Sequence, residues 1–200
     1  ITDLSTGVTS SYGSYDCWEY IQSKDDDGVR GYTKTLDVTN GVTRALLEAM
    51  LCDYADFFKQ YGCDKFNICG DEVAFYSYDG WQGYARNILS AKYNSSTLTS
   101  SGSKYDTYID YMNELTGILE NKGYTVRIFS DFVDRMGKGS TSNPHWYVQN
   151  LEFDQDLEIM YWWLPEDNSY VTDIEHFVDE GYTIYNCVQN YCYFVLATNS

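Results

Sequence analysis

Apolar residues recur at helical spacing in three stretches of the chain, and each stretch leads through a glycine into a short β-rich run. The glycines are Gly62, Gly123 and Gly181. Glycine tolerates the left-handed conformation that commonly ends a helix, so each unit predicts a helix that turns into a strand. The predicted helical stripes are Val42, Leu46, Met50, Tyr54 and Phe57, then Tyr108, Met112, Leu115 and Leu119, then Val171, Ile174, Phe177 and Val178.

Four short β-rich runs are predicted as strands, near residues 65–69, 125–129, 158–162 and 183–188. Helices that alternate with short buried strands indicate a parallel sheet, so the predicted fold class is α/β, built from (β/α) units with long loops. Residues 1–31 are polar and have no period, which predicts a long loop with a solvated turn at the acidic run 25–27. Residues 95–103 are predicted to be a flexible polar insert.

The chain has 200 residues, of which 44% are hydrophobic, and this is enough for one domain with a core. Its formal net charge is -17, and 13 Lys and Arg are too few for the clustered phosphate contacts of a nucleic-acid ligand. We therefore expect no nucleic-acid partner. No apolar run approaches the roughly 20 residues of a membrane span, so none is expected.

The six cysteines form no CxxC pair and no cluster with either histidine at zinc spacing. Several of them lie inside apolar runs, where cysteine behaves as a small hydrophobic residue, and this favours free thiols. Aromatic residues make up 18% of the chain and suit both a core and an amphipathic ligand such as a sugar.

Polar and aromatic residues crowd the carboxyl ends of the predicted strands, where a parallel barrel builds its active site. Carboxylates supply acid–base chemistry and aromatic rings pack on sugar faces, so the pattern suits a sugar site. An Asp-Glu pair after a strand is also common as the cap and first turn of a helix, so spacing alone leaves both roles open. The residues are Asp71, Glu72, Asp131, Tyr161, Trp162, Trp163, Asn190, Tyr191 and Tyr193.

The run 66–74, with the sequence FNICGDEVA, resembles the signature strand of the β-N-acetylhexosaminidases of glycoside hydrolase family 20. Four further segments are similar to other motifs of that family and follow in its order: residues 36–40, 129–131, 161–162 and 191–196. The similarity is strongest to the branch with bacterial surface exo-hexosaminidases and lacto-N-biosidases. It implies a (β/α)8 TIM-type barrel of which this chain supplies the fourth to seventh units, with residues 1–200 in one catalytic barrel and 36–196 as its family-like part.

The resemblance also implies a retaining exo-glycosidase that removes terminal β-linked N-acetylhexosamine, or lacto-N-biose-type, residues by substrate-assisted catalysis. In it Glu72 is the general acid and base, Asp71 orients the substrate's acetamido group, and Tyr191 donates to the acetamido oxygen. The substrate would be a glycan that contains N-acetylglucosamine or N-acetylgalactosamine, and neither a metal nor an organic cofactor is required.

Other residues are implied to bind the substrate: Trp162, Asp131, Tyr193, Asn190 and Phe129. Trp162 would form a wall of the acetamido pocket, although either tryptophan at 162–163 is also a candidate core residue. Asp131 would contact a sugar hydroxyl or support another residue, and capping a turn is an equal alternative. Tyr193 stands where other branches carry an Asp, which leaves its role open.

About half of the family's eight strands have no match here, including those that supply a sugar-gripping Arg and a Trp-x-Glu segment. We expect the missing strands to come from the rest of a longer chain, which a first residue other than Met favours, or from a second copy. The resemblance implies a secreted or cell-surface location. The alternative function is a non-catalytic carbohydrate-binding remnant of the same fold.

Overall fold

The computed structural model describes residues 36–71, 79–133, 149–162 and 172–188, together with Cys192. Its centre is a four-stranded parallel sheet in which the strands are neighbours in chain order. The sheet confirms the four predicted strands and the α/β class. The strands are β1 Lys65–Asn67, β2 Thr125–Phe129, β3 Glu158–Tyr161 and β4 Thr183–Asn186.

One long helix precedes β1, and the other described α-helices lie in the connections from β1 to β2 and from β3 to β4. Two are long, and a run of short helices lies between β1 and the second long one; α2 continues through a π-helical turn, Ala85–Leu89, into α3. The helices are α1 Gly41–Lys59, α2 Asp79–Tyr84, α3 Ser90–Lys92, α4 Ser96–Ser101, α5 Lys104–Asn121 and α6 Ile174–Asp179.

Both long helices begin at side chains that satisfy free backbone donors. The Asn40 side chain accepts from the amide of Val42 at 2.8 Å at the start of α1. At α5, Ser103 and Asp106 form a reciprocal capping box. The glycines that follow α1, α5 and α6 have positive φ angles, as predicted: Gly62 at 78°, Gly123 at 78° and Gly181 at 89°.

The core lies between α5 and one face of the sheet. Val126, Ile128 and Ile159 are buried on that face, and in β2 the buried residues alternate with partly exposed neighbours, as in a strand with one face packed on a core. The predicted stripe of α5 is buried in the same cluster. Its four residues are Tyr108, Met112, Leu115 and Leu119.

The stripe predicted for α1 does not face the core along its whole length. Val42 is buried, but Met50, Tyr54 and Phe57 are 46%, 55% and 50% exposed. The helix instead turns Arg44 inward, because two carboxylates on α5 pair with its guanidinium. In the third stripe, Val178 is likewise 61% exposed, whereas Phe177 is fully buried.

The prediction of a flexible polar insert at 95–103 is wrong, because residues 96–101 form α4. The Ser95 side chain caps this helix by accepting from the amide of Leu98 at 3.2 Å. Leu98 is 1% exposed and packs against Ala85 and Leu89. One buried leucine and a serine cap are sufficient to fix a segment whose composition is otherwise typical of a loop.

The cysteines within the described residues are free thiols, as the sequence favours: Cys52, Cys63, Cys69, Cys187 and Cys192. Among the described helices, none combines the length and the apolar character that crossing a bilayer would require. The predicted loop at 1–31, with its acidic run at 25–27 and Cys17, lies outside the described residues.

Candidate active site at the carboxyl ends of the strands

Asp71 lies at the carboxyl end of β1 and is exposed. The backbone ladder with β2 continues past the strand, since the amide of Ile68 donates to Arg127 and the amide of Phe129 donates to Cys69, both at 2.9 Å. Two residues with positive φ then turn the chain, Cys69 at 64° and Gly70 at 84°. Asp71 therefore emerges from the sheet at the place predicted for a candidate acid.

Gly70 is a glycine for two reasons. A left-handed φ is strained for a residue with a side chain. A Cβ at this position would also lie 2.5 Å from the hydroxyl oxygen of Tyr108 and 3.0 Å from Ile128. The Tyr108 hydroxyl uses this close approach to donate to the Gly70 carbonyl at 2.8 Å.

Asp131 and Trp162 lie together at the ends of β2 and β3. Asp131 is in a single 3-10 turn, Ser130–Phe132, and is fully buried, and Trp162 is 9% exposed. The indole Nε1–H of Trp162 donates to an oxygen of the Asp131 carboxylate. The bond fixes the orientation of the indole ring.

Phe129 is the last residue of β2 and lies opposite Met160 on the neighbouring strand. It is partly buried and occupies the same side of β2 as Arg127, away from the helix-covered face. Its position is thus at the predicted end of the sheet, two residues before Asp131.

The remaining predicted site residues lie outside the described residues: Glu72, Asn190, Tyr191 and Tyr193. Their roles, and the expected meeting of Tyr191 with the acidic pair, stay predictions. The described part of the site therefore consists of Asp71, Asp131, Trp162 and Phe129.

A charged cluster on the face of the sheet opposite α5 was missed by the sequence analysis. The carboxylate of Glu158 on β3 forms salt bridges with Lys65 Nζ from β1 at 2.5 Å and with Arg127 Nε from β2 at 2.7 Å. The Arg127 guanidinium also lies 4.0 Å from the ring centre of Tyr185 on β4. The available signal was the presence of one charged residue in each of the three short strands β1, β2 and β3.

The cluster changes the electrostatics of its members. Burial alone would raise the pKa of Glu158, but the hydrogen bonds from Lys65 and Arg127 outweigh it and lower that pKa. For Arg127, burial alone would lower the pKa, yet the bond to Glu158 leaves it raised. All three groups therefore stay ionised at neutral pH and bind one another across three strands.

Three carboxylates at the opposite end of the fold could hold a cation, since Glu120, Asp154 and Asp156 place oxygens within 4.8 Å of one another. Glu120 lies in the last turn of α5, and the two Asp residues precede β3, so the group is remote from Asp71. Burial and the two neighbouring carboxylates raise the pKa of Glu120. Exposed acidic groups of this kind are expected in a chain with 30 Asp and Glu.

The geometry defines a class of fold, that of a partial TIM barrel of the type found in family-20 glycoside hydrolases. No model of a known protein family matches the chain, and neither does any curated protein. The similarity to this family therefore rests on the fold, as seen in comparison with solved structures.

Two structures of the pneumococcal protein StrH illustrate the likeness. One, from work on N-glycan recognition and hydrolysis, matches with a TM-score of 0.55 and 20% identity over 84% of this chain and 34% of its own length. The other is from work on the tandem GH20 catalytic modules of the pneumococcal exo-β-D-N-acetylglucosaminidase. It matches with a TM-score of 0.51 and 21% identity, over 76% of this chain and 31% of its own. The chain thus spans about a third of the structures it resembles.

Proposed function

We propose that the chain is part of a retaining exo-glycosidase that hydrolyses terminal β-linked N-acetylhexosamine, or lacto-N-biose-type, residues. One observation carries the proposal: the Gly-Asp-Glu motif follows β1 at the carboxyl end of a parallel sheet whose fold resembles GH20 catalytic modules. The Asp131–Trp162 pair at the same end of the sheet supports it, because an oriented indole suits the wall of a sugar pocket.

In the first step the acetamido oxygen of the substrate attacks the anomeric carbon, and the bond to the leaving oxygen breaks. Glu72 gives its proton to that oxygen, a role that calls for a carboxyl with a raised pKa. Asp71 accepts from the acetamido N–H and stabilises the positive charge of the oxazolinium ring, and Tyr191 holds the attacking oxygen in line.

In the second step water attacks the anomeric carbon from the side that the leaving group vacated. Glu72 takes a proton from this water, and the electron pair of the carbon–oxygen bond returns to the acetamido group as the ring opens. Two displacements at one carbon retain its configuration. Trp162, supported by Asp131, forms a pocket wall, while Phe129, Asn190 and Tyr193 contact the sugar.

We place residues 1–200 in a single catalytic barrel whose other strands come from further chain, with a second copy as the alternative source. A parallel sheet needs both faces covered, and the face opposite α5 carries Lys65, Arg127 and Glu158, where no described helix packs. The 200 residues alone should therefore show little hydrolysis. Robust turnover of a chromogenic N-acetylglucosaminide by this piece would contradict that expectation.

The test of the function uses the complete protein and the substitutions Glu72→Gln and Asp71→Asn. Each replaces a carboxyl by an amide of nearly the same shape, which can neither give up a proton nor carry a negative charge, and each should lower kcat by at least about 100-fold on a chromogenic N-acetylglucosaminide. Glu120→Gln is the matched control, because it changes a partly exposed carboxyl at the opposite end of the fold. Unchanged activity in Glu72→Gln would overturn the proposal.

The alternative is a carbohydrate-binding remnant of the same fold without catalysis. A remnant would keep its glycan affinity in Glu72→Gln and show no turnover in the parent protein. A thiazoline that copies the oxazolinium ring should inhibit the enzyme well below the substrate KM, whereas a glycosidase with a protein nucleophile would bind it no better than substrate.

We also propose a secreted or cell-surface location, which the resemblance to bacterial surface exo-hexosaminidases supports. Its check is cell fractionation, in which the protein should be found in the medium or on the intact cell surface.

A further inference from the structure

The hydroxyl of Tyr108 lies directly behind the turn that presents Asp71. Tyr108 is on α5, is 1% exposed, and donates to the Gly70 carbonyl at 2.8 Å. The ladder between β1 and β2 ends at Cys69, so this carbonyl lies beyond the hydrogen bonds of the sheet. A buried carbonyl without a partner is costly, and the tyrosine supplies one from the helix layer.

This bond also sets the direction of the next amide. The Gly70 carbonyl and the Asp71 N–H belong to one peptide group, and in a trans peptide the two point in opposite directions. A carbonyl held toward α5 therefore turns the Asp71 N–H away from the helix layer. Because Gly70, which precedes this peptide, has no Cβ, the backbone itself offers little resistance to rotation of the peptide.

The ring of Tyr108 is held on several sides. It stacks on Tyr105 with centroids 6.1 Å apart and meets Phe153 edge-on at 6.0 Å. It also meets Phe132 edge-on at 5.9 Å, and Phe132 belongs to the same single turn as Asp131. One side chain thus contacts both turns that carry the described candidate acids, one through its hydroxyl and the other through its ring.

We propose that Tyr108 is a positioning residue for the active site, which fixes the peptide before Asp71 and keeps the Asp71 and Asp131 turns in register. This inference rests on the proposed function. The hydroxyl acts on the reaction only through Gly70 and Asp71, and so it should contribute to the transition state more than to substrate binding.

The test compares two tyrosine-to-phenylalanine variants of the complete protein. Tyr108→Phe removes the bond to Gly70 and keeps the ring contacts. Tyr124→Phe removes a similar buried bond, from Tyr124 to the Ala55 carbonyl at 2.6 Å, at the amino end of β2 and away from Asp71. Both variants lose one buried tyrosine–carbonyl bond, so their losses of Tm should be similar.

Tyr108→Phe should lower kcat by about 10- to 100-fold with KM within about twofold, and weaken thiazoline inhibition in proportion to kcat. Tyr124→Phe should leave kcat, KM and thiazoline inhibition within about twofold of their values in the parent protein. Equal kcat values for the two variants would overturn the positioning role of Tyr108. The proposed function would still stand in that case if Glu72→Gln is inactive in the same assay.

A second measurement needs no substrate. Nitrogen relaxation should show backbone order parameters at Cys69, Gly70 and Asp71 that fall from about 0.85 toward 0.6 in Tyr108→Phe and stay unchanged in Tyr124→Phe. Unchanged values in Tyr108→Phe would overturn the inference. The relaxation measurement tests the role of Tyr108 in fixing the Gly70 peptide independently of activity, so it remains decisive even if the Glu72→Gln variant rules out a glycosidase.

Discussion

The two long helices, α1 and α5, carry similar apolar stripes in the sequence but lie in different surroundings. Eleven of the 18 residues of α5 are buried, against four of the 19 in α1. From Met50 onward α1 exposes an aromatic surface that lines a shallow cavity of about 430 Å³ with Met50, Asp53, Tyr54 and Phe57. An apolar stripe in the sequence therefore predicts which face of a helix can pack against other elements. Whether that face is buried depends on the neighbouring elements of the fold.

The helices also differ in what their polar residues do. Asp110 on α5 is 1% exposed and accepts from Arg44 at 3.2 Å, Lys92 at 2.6 Å and Tyr93 at 2.8 Å. Arg44 on α1 in turn donates to the Val38 carbonyl at 2.5 Å and to Glu114. These hydrogen bonds and ion pairs around Asp110 and Arg44 form a polar joint that connects α1 and α5 to the segment around α3. The carboxyl-terminal half of α1 has the exposed aromatic surface instead.

The largest expected effect contrasts a covered position with an open one. Ile109→Ala on α5 should lower the free energy of unfolding by about 3 to 4 kcal/mol, because it leaves a cavity at a fully buried site. Phe57→Ala on α1 should cost less than about 1 kcal/mol, since the ring is half exposed. Urea denaturation of both variants measures the difference, and equal losses would show that the aromatic surface of α1 is covered in solution.

The second-largest expected effect is at the joint between α1 and α5. Asp110→Ala should cost about 2 to 3 kcal/mol, because it removes the partner of buried Arg44 and of two further donors. Asp156→Ala changes an exposed carboxyl and should stay within about 0.5 kcal/mol. If Asp110→Ala unfolds at the parent's urea midpoint, the joint does not stabilise the pair of helices.

The smallest effect is a pH dependence at the contact of the two helices. Burial and the neighbouring Glu114 carboxyl raise the pKa of Glu48, against the opposing effect of Arg44. The folded protein then holds this proton more tightly than the unfolded chain does. Its contribution to stability is present at low pH and is lost as pH rises above the ordinary value of 4.5 toward the raised one.

Glu48→Gln copies the protonated form and should remove this part of the pH dependence. We expect a Tm about 1 to 2 °C above that of the parent at pH 7 and a smaller difference at pH 4, measured by thermal scans at both values. A Tm difference that grows as pH falls would contradict the assignment, because the sign would then be that of a carboxyl with a lowered pKa.

The sheet could be predicted from the sequence because glycines and short β-rich runs mark each strand locally. Gly123, for example, ends α5 with a left-handed φ just before β2. The same local pattern failed for α1 and for residues 95–103. In both places the outcome depends on a partner distant in sequence, Asp110 for Arg44, or on one buried side chain, Leu98.

For the candidate site, the sequence predicted which end of the sheet carries Asp71, Asp131 and Trp162, because parallel strands bring their carboxyl ends together. It could not predict the bond between Trp162 and Asp131, which depends on the register of β2 with β3. The role of Tyr108 was hidden for a similar reason. Its ring belongs to the core stripe of α5, and its hydroxyl finds Gly70 only after α5 packs on the sheet.

The strand order has a consequence for the speed of folding. Neighbouring strands are joined through residues 68–124, 130–157 and 162–182, so none of the three pairs can start as a hairpin. Each pairing has to close a long stretch of chain first, and such non-local contacts slow folding and leave unpaired strands exposed to other molecules. Refolding from denaturant should therefore be slow, and its yield should fall as the protein concentration rises.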